Sequence, residues 1–249
     1  MADATTPGEF DPIFRQGVPI VGGHAVNLWA TYYSPRGDNE LREFAPFISK
    51  DGDIYLKDPQ IAQAVATAAG WRFEKNPEAR SAVLGRIVLE KGGVRLDVHV
   101  MRSVNGLSEA DLAKTESLNL QSGTTYCLPA PDVMLKAKLS NLDTIEQKER
   151  DRQDERHVRM MILCNRHYLL DSVQAARGGQ LAEREAVDRF SATHRVTNSA
   201  MARRLDQKHG LKLTAAIPAR DALGDISAFR KLSAFYDHQV HKSGQRERA

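Results

Sequence analysis

Cysteine is scarce in this sequence, with Cys127 and Cys164 as the only two in 249 residues. Their wide separation matches neither a disulfide framework nor the spacing of zinc ligands, as expected in a reducing compartment. Long apolar runs are missing as well, since no segment approaches the ~20 apolar residues that cross a bilayer. The N-terminus has charged and polar residues where a signal peptide has an apolar stretch. These absences predict a cytoplasmic protein without a membrane span.

Charge is present in quantity but is unevenly divided along the chain. Residues 1–149 hold 16 Lys and Arg against 20 Asp and Glu, whereas residues 150–249 hold 19 against 12. The imbalance suggests an acidic half that carries a site and a basic half that meets an anionic partner. Solvated helix faces would give the same numbers, and both interpretations stay open at this point.

The opening of the chain predicts a strand, a glycine turn and a helix. Residues 1–17 are polar and predict a loose lead-in, and residues 18–21 predict a short buried strand. Gly22-Gly23 follows as a turn that needs a permissive backbone. Apolar residues then recur at three and four positions over residues 25–33, which is the spacing of a helical stripe.

The remaining patterns predict an α+β fold with two domains. A second strand is expected near residues 47–56, and two alternating runs, 82–90 and 94–101, predict a hairpin in a small mixed sheet. Ser108, with Asp111 three residues later, predicts a capped helix. From Pro131 onward the spacing is helical to the end. We therefore predict two domains, a small mixed-sheet domain over 1–128 and a helical domain over 129–249 that offers a basic surface.

Three aspartates in the first half carry the chemistry. Asp51 and Asp53 stand two apart at the start of an apolar run, so on a strand both project to the same side. Such a pair is suited to Mg²⁺, which takes hard oxygen ligands and shares its shell with water and phosphates. Asp97, on the polar side of the hairpin's second strand, is a candidate third ligand. Three carboxylates can hold two metals ~3.5–4 Å apart for phosphoryl transfer, although an Asp-x-Asp is also common in surface turns.

The order of these motifs is similar to that of a known family. The sequence resembles the nucleotidyltransferase (polymerase-beta-like) superfamily and, within it, the AbiEii-type toxins of bacterial toxin–antitoxin and phage-defence systems. The resemblance spans residues 18–154. The segments that carry it are Val21-Gly22-Gly23-His24-Ala25, Ser49-Lys50-Asp51-Gly52-Asp53-Ile54, Leu96-Asp97-Val98, Leu135-Lys136-Ala137-Lys138-Leu139 and Arg150-Asp151-Arg152-Gln153-Asp154.

The resemblance implies an activity and a set of site residues. The activity is Mg²⁺-dependent transfer of a nucleoside monophosphate from an NTP to a hydroxyl of an RNA, possibly tRNA, or of a protein, by a toxin with a cognate antitoxin. The implied metal-binding and catalytic residues are Asp51, Asp53 and Asp97, the last of which also activates the acceptor hydroxyl. The implied nucleotide-binding residues are Gly22, Gly23, Lys138, Asp151 and Asp154. Residues 1–128 would then form the catalytic core, and the helical domain over 129–249 would complete the nucleotide site. Asp151 and Asp154 could equally favour a helix N-terminus through its dipole.

The sequence departs from the family pattern at three positions. His24 stands where Ser or Thr usually follows the glycines, and Gly52 separates the aspartates where an apolar residue is usual. Gly52 therefore predicts an irregular strand. The family often has an arginine after the segment that contains Lys138 and Leu139, and here Ile145 stands near that place. His24 and His99 flank the expected site and are left outside the catalytic set.

Two other functions remain open from the sequence. Arg152 with His157, and Arg189 with His194, have the spacing of the Arg-x4-6-His element of HEPN-type ribonucleases, a pattern that also arises by chance. The other alternative is a non-catalytic module that binds nucleic acid or a partner protein on a nucleotidyltransferase-like fold.

Overall fold

The computed structural model describes residues 10–36, 39–48, 51–91, 94–120, 123–145, 153–224 and 229–237. It has the mixed α+β architecture predicted, with a small mixed sheet and helices toward the C-terminus. Asp151 and the predicted Gly92-Gly93 turn lie outside the described residues. The chain divides into two compact units, Met1–Met160 and Met161–Ala249. Within the described ranges, no helix combines the length and apolarity needed to cross a membrane.

Seven strands and ten α-helices are present in the described residues. The strands are β1 (Ile20–Val21), β2 (Gly52–Tyr55), β3 (Arg72–Lys75), β4 (Val83–Lys91), β5 (Val94–Met101), β6 (Thr115–Asn119) and β7 (Thr125–Pro129). The helices are α1 (Asp11–Phe14), α2 (Gly22–Tyr33), α3 (Asn39–Arg42), α4 (Pro59–Ala68), α5 (Glu109–Leu112), α6 (Pro131–Thr144), α7 (Gln153–Arg177), α8 (Glu183–Thr197), α9 (Ala200–His209) and α10 (Arg230–Phe235). The sequence patterns did not predict β3 and β6.

A five-stranded mixed sheet organises the first unit. Its order is β1-β2-β5-β4-β3, and β2 runs parallel to β5 while the other neighbours are antiparallel. Helix α2 packs on β1 and β2, and α4 packs on β3 and β4. Alternation along the strands buries Ile54, Ile87, Val98 and Val100. The opposite face carries polar side chains, and these are the ones that can form a site.

Two helices of this unit, α4 and α5, begin directly after residues whose side chains cap them. Asp58 accepts a hydrogen bond from the backbone N–H of Gln60 at the start of α4, where Pro59 occupies the first turn. At α5, Ser108 and Asp111 make both hydrogen bonds of a capping box. The predicted start of a helix at Ser108 is therefore confirmed.

Helix α1 corrects the prediction of a loose lead-in over residues 1–17. Phe10, Ile13 and Phe14 are fully buried, and their spacing of three and four places them on one helical face. The Asp11 carboxylate accepts hydrogen bonds from Tyr126 Oη at 2.7 Å and Thr124 Oγ1 at 3.1 Å. The prediction is wrong for residues 10–17 because a one-turn helix is too short to show periodicity; residues 1–9 lie outside the described part.

The second unit is built from helices around its own aromatic core. Helix α8 packs with α9 and α10, and the Phe190 ring lies 5.8 Å from the rings of both Phe235 and Tyr236. The unit also holds exposed basic residues, including Arg203 and Arg204 on α9.

Candidate nucleotide and metal site

A cavity of about 480 Å³ lies entirely within the first unit and gathers most of the predicted site residues. Its size falls within the ~300–1,000 Å³ typical of small-molecule sites. The predicted residues that line it are Gly22, Gly23, Asp51, Asp53, Lys138 and Asp154. Asp97 is not among the lining residues. These six residues come from four segments between positions 22 and 154 and meet only through the fold.

Gly22 and Asp53 fit against each other at the start of α2. Gly22 has a φ of +67°, a backbone conformation that residues with a Cβ rarely adopt. A Cβ at this position would stand 1.9 Å from Oδ2 of Asp53. Val21, at the N-cap, has no side chain that could cap the helix. The first backbone N–H groups of α2 therefore have no side-chain cap from Val21, and the Asp53 carboxylate lies beside this helix start, where unpaired N–H groups can bind an anion.

Asp51 and Asp53 both line the cavity, although only Asp53 lies on strand β2, so the prediction that both are strand residues is wrong for Asp51. Asp51 is exposed at a bend just before β2, whereas Asp53 is paired within the sheet, opposite His99 on β5. His99 Nδ1 lies 3.3 Å from Asp53 Oδ1, and hydrogen bonding to that carboxylate raises the pKa of His99 above its ordinary value. His99, which the sequence reasoning set aside, is thus the β5 residue that meets the aspartate pair.

Asp97 lies two residues before His99, on the same face of β5, and its carboxylate faces Arg95. The Arg95 Nε lies 3.0 and 3.1 Å from the two Asp97 oxygens. In the described part of the chain, no group of three or more His, Cys, Asp or Glu is close enough to hold a metal ion. Asp51 and Asp53 alone still suit Mg²⁺, which binds through one or two carboxylates together with substrate phosphates. The role of Asp97 as a third metal ligand stays a prediction.

The opposite side of the cavity is formed by α6 and the first turns of α7. Lys138 has only 8% of its side chain exposed, and its Nζ lies 3.2 Å from Asp154 Oδ1. Asn141 Nδ2 donates to the same oxygen at 3.4 Å. Lys136, two residues earlier on α6, instead pairs with Asp111 at 2.9 Å. The helix thus turns one lysine into the cavity and the other away from it.

His157 completes this side and was not predicted as a site residue. It lines the cavity, is 1% exposed, and neither ring nitrogen has a hydrogen-bond partner among the described residues. Its Cε1 would lie 3.0 Å from a Cβ placed on Gly23. Burial, together with Lys138 and Arg156, holds the pKa of His157 well below its ordinary value, so the ring is neutral. His157 follows Asp154 by three residues on α7, so the two side chains share a helix face. This spacing is the sequence pattern that could have identified His157.

Helix α1 explains two departures from the family pattern. The His24 ring packs against Phe14 and Phe10, with ring centroids 4.9 and 5.5 Å apart. A Cβ on Gly52 would lie 3.3 Å from Phe14 Cζ and 3.5 Å from Phe10 Cγ. Strand β2 is nevertheless regular at Gly52, which pairs with Val98, so the predicted irregularity is wrong. Both positions are shaped by the aromatic rings behind the site.

Comparison with known proteins adds no assignment, because no family model and no curated protein matches the chain.

Proposed function

We propose that this protein is a Mg²⁺-dependent nucleotidyltransferase that moves a nucleoside monophosphate from an NTP to a hydroxyl of an RNA or a protein. One observation carries the proposal. Two aspartates, an uncapped helix N-terminus and a buried lysine line the same nucleotide-sized cavity, although they are far apart in sequence.

Each side of the cavity has a distinct role in this proposal. The N–H groups at Gly22 and Gly23 and the Nζ of Lys138 bind the triphosphate. Asp154 holds Lys138 in place, and the neutral His157 offers one donor and one acceptor to the bound nucleotide. Ile145, half exposed at the cavity lining, gives the base an apolar contact.

The proposed reaction is an in-line displacement at the α-phosphorus. The acceptor oxygen forms a bond to the α-phosphorus, the bond to the bridging oxygen breaks, and pyrophosphate leaves. Asp51 and Asp53 would hold Mg²⁺, which supplies positive charge to the phosphate oxygens. Asp97, released from Arg95, would take the proton of the acceptor hydroxyl. In a cell this activity would act as a toxin that a cognate antitoxin restrains.

A non-catalytic nucleotide-binding module is the second candidate, and a specific observation favours it. The carboxylates of Asp97 and Asp53 are engaged by Arg95 and His99, so catalysis would require both contacts to change. Such a module would bind NTP without transferring any part of it. The ribonuclease alternative has no comparable support. In the first pair Arg152 lies outside the described residues and His157 is buried. In the second pair the Arg189 guanidinium already contacts Glu185 and Ser172.

The test is incubation with Mg²⁺, each NTP labelled on its α-phosphate, and either total RNA or cell protein. We expect label on a macromolecule with the wild-type chain and none with Asp53→Asn. NTP binding without transfer would support the module, and RNA shortening without NTP would support a ribonuclease. Growth arrest on expression, lost with Asp53→Asn, would support the toxin.

A further inference from the structure

A second cavity, of about 300 Å³, adjoins the first within the same unit. His99 lines both cavities. Glu74, Lys75 and Arg86 also line the second one, on strands β3 and β4. The two spaces therefore meet at the residue that touches Asp53.

A single row of polar residues runs across the sheet from one cavity to the other. Asp53 on β2 stands opposite His99 on β5, His99 opposite Arg86 on β4, and Arg86 opposite Glu74 on β3. Neighbouring strands lie ~4.8 Å apart, so Arg86 is anchored about two strand spacings from Asp53.

Arg86 is the uncommitted cation of this row. Its side chain is exposed and makes no hydrogen bond or ion pair with any residue the structure describes. The other arginines of this face are occupied: Arg72 binds Glu74 and Glu90, and Arg95 binds Asp97 and Glu74. Those contacts also neutralise Glu74, the acidic residue that lines the second cavity. The guanidinium of Arg86 is therefore left available for an anion from outside the chain.

We propose that the second cavity is the acceptor site and that Arg86, with Lys75, binds a backbone phosphate of an RNA acceptor. This inference rests on the proposed nucleotidyltransferase function. A phosphate at Arg86 would leave the terminal hydroxyl of the same strand to reach past His99 toward Asp53 and the nucleotide. A protein acceptor would bring no phosphate, so it would leave the free guanidinium unexplained. The observations favour RNA.

The test is binding of a short, fluorescently labelled single-stranded RNA to the full chain, without NTP or Mg²⁺. Arg86→Ala should weaken RNA binding about tenfold, the loss of a charge-assisted hydrogen bond, with NTP affinity unchanged. Arg42→Ala is the matched control, because Arg42 is an exposed arginine of the same unit whose Nε donates to the Ser34 carbonyl oxygen, outside both cavities. It should change RNA binding by no more than about twofold. The thermal midpoint of each variant checks that it is folded.

Three results would overturn the inference. The first is an equal loss of RNA binding for Arg42→Ala and Arg86→Ala. The second is a loss of RNA binding only when Arg203 and Arg204 are reversed. The third is transfer to a protein that Arg86→Ala leaves unchanged. Because the assay requires no turnover, its outcome is separate from that of the proposed activity. Arg86-dependent RNA binding by a chain that never transfers a nucleotide would refute the activity and leave the phosphate site standing.

Discussion

We call Asp51 and Asp53, with Gly22 and Gly23 at the start of α2, the sheet wall of the cavity. It differs in exposure from the helical wall, which is formed by Lys138, Asp154 and His157. Asp51 is exposed and the Asp53 side chain is 25% exposed, whereas His157 and Lys138 are almost fully buried. A hydrated cation can therefore reach the carboxylates directly. The Lys138 ammonium is already desolvated, which would strengthen its electrostatic interaction with a bound anion.

The largest effect should come from removing a carboxylate of the sheet wall. Asp53→Asn should lower Mg²⁺-dependent NTP turnover by roughly 10³-fold or more, because several kcal/mol of charge stabilisation is lost. The thermal midpoint should stay near that of the wild type. Glu78→Gln, which neutralises an exposed carboxylate outside both cavities, is the control and should be fully active. Equal turnover in the two variants would refute the metal site.

The next effect tests whether Asp97 belongs to the sheet wall despite its contact with Arg95. Asp97→Asn should leave NTP affinity nearly normal and reduce transfer by ~10²–10⁴-fold, the range for loss of a general base. Titration calorimetry and a single-turnover transfer assay measure the two quantities separately. Unchanged transfer would mean that Asp97 serves only to hold Arg95.

The third effect concerns His24, which lies behind the sheet wall. Burial lowers the pKa of His24 to about 4, so below its ordinary value of 6.5 the unfolded chain binds a proton that the folded chain does not. The free energy of unfolding should therefore fall as the pH drops from 6.5 to 4, by on the order of 3 kcal/mol from this residue.

His24→Leu should remove this part of the acid sensitivity. Urea unfolding of both proteins at pH 7 and pH 4.5 measures it. The neutral, buried His157 contributes a loss of the same sign and stays in both proteins, so the difference isolates His24. An identical loss in the two proteins would show that His24 titrates as an exposed histidine.

The smallest effect compares two lysines on α6. Lys138→Met should weaken NTP binding about tenfold, because a charge-assisted hydrogen bond to phosphate is lost. Lys136→Met, which removes the same charge from the other side of the helix, should not alter NTP affinity. Calorimetry on both variants, without an acceptor, gives the comparison. Equal NTP affinities of the two variants would show that Lys138 does not contact the bound nucleotide.

The sheet wall was the easier part to predict because its residues follow local rules. The spacing of Asp51 and Asp53 fixes a common side on any strand, and Gly22-Gly23 before an apolar stripe indicates a turn into a helix. The pairing of β2 with β5 follows no such local rule. A difference of two residues in register decides whether Asp97 or His99 faces Asp53, and long-range packing sets that register.

The helical wall and α1 show where single-sequence reasoning stops. Lys138 and Asp154 came from the family resemblance, and no local pattern places His157 against Gly23. The departures at His24 and Gly52 looked unrelated because they belong to different elements. Phe14 contacts both, and only the folded chain reveals this shared neighbour.

Gly22 offers no functional group, yet the site has no room for a methyl group there, since Oδ2 of Asp53 would lie 1.9 Å from it. In a genetic selection for loss of the activity, survivors should carry changes at position 22 about as readily as at Asp53. A map of the site drawn from those survivors would include a residue without a side chain, which contributes its backbone and the space it leaves empty.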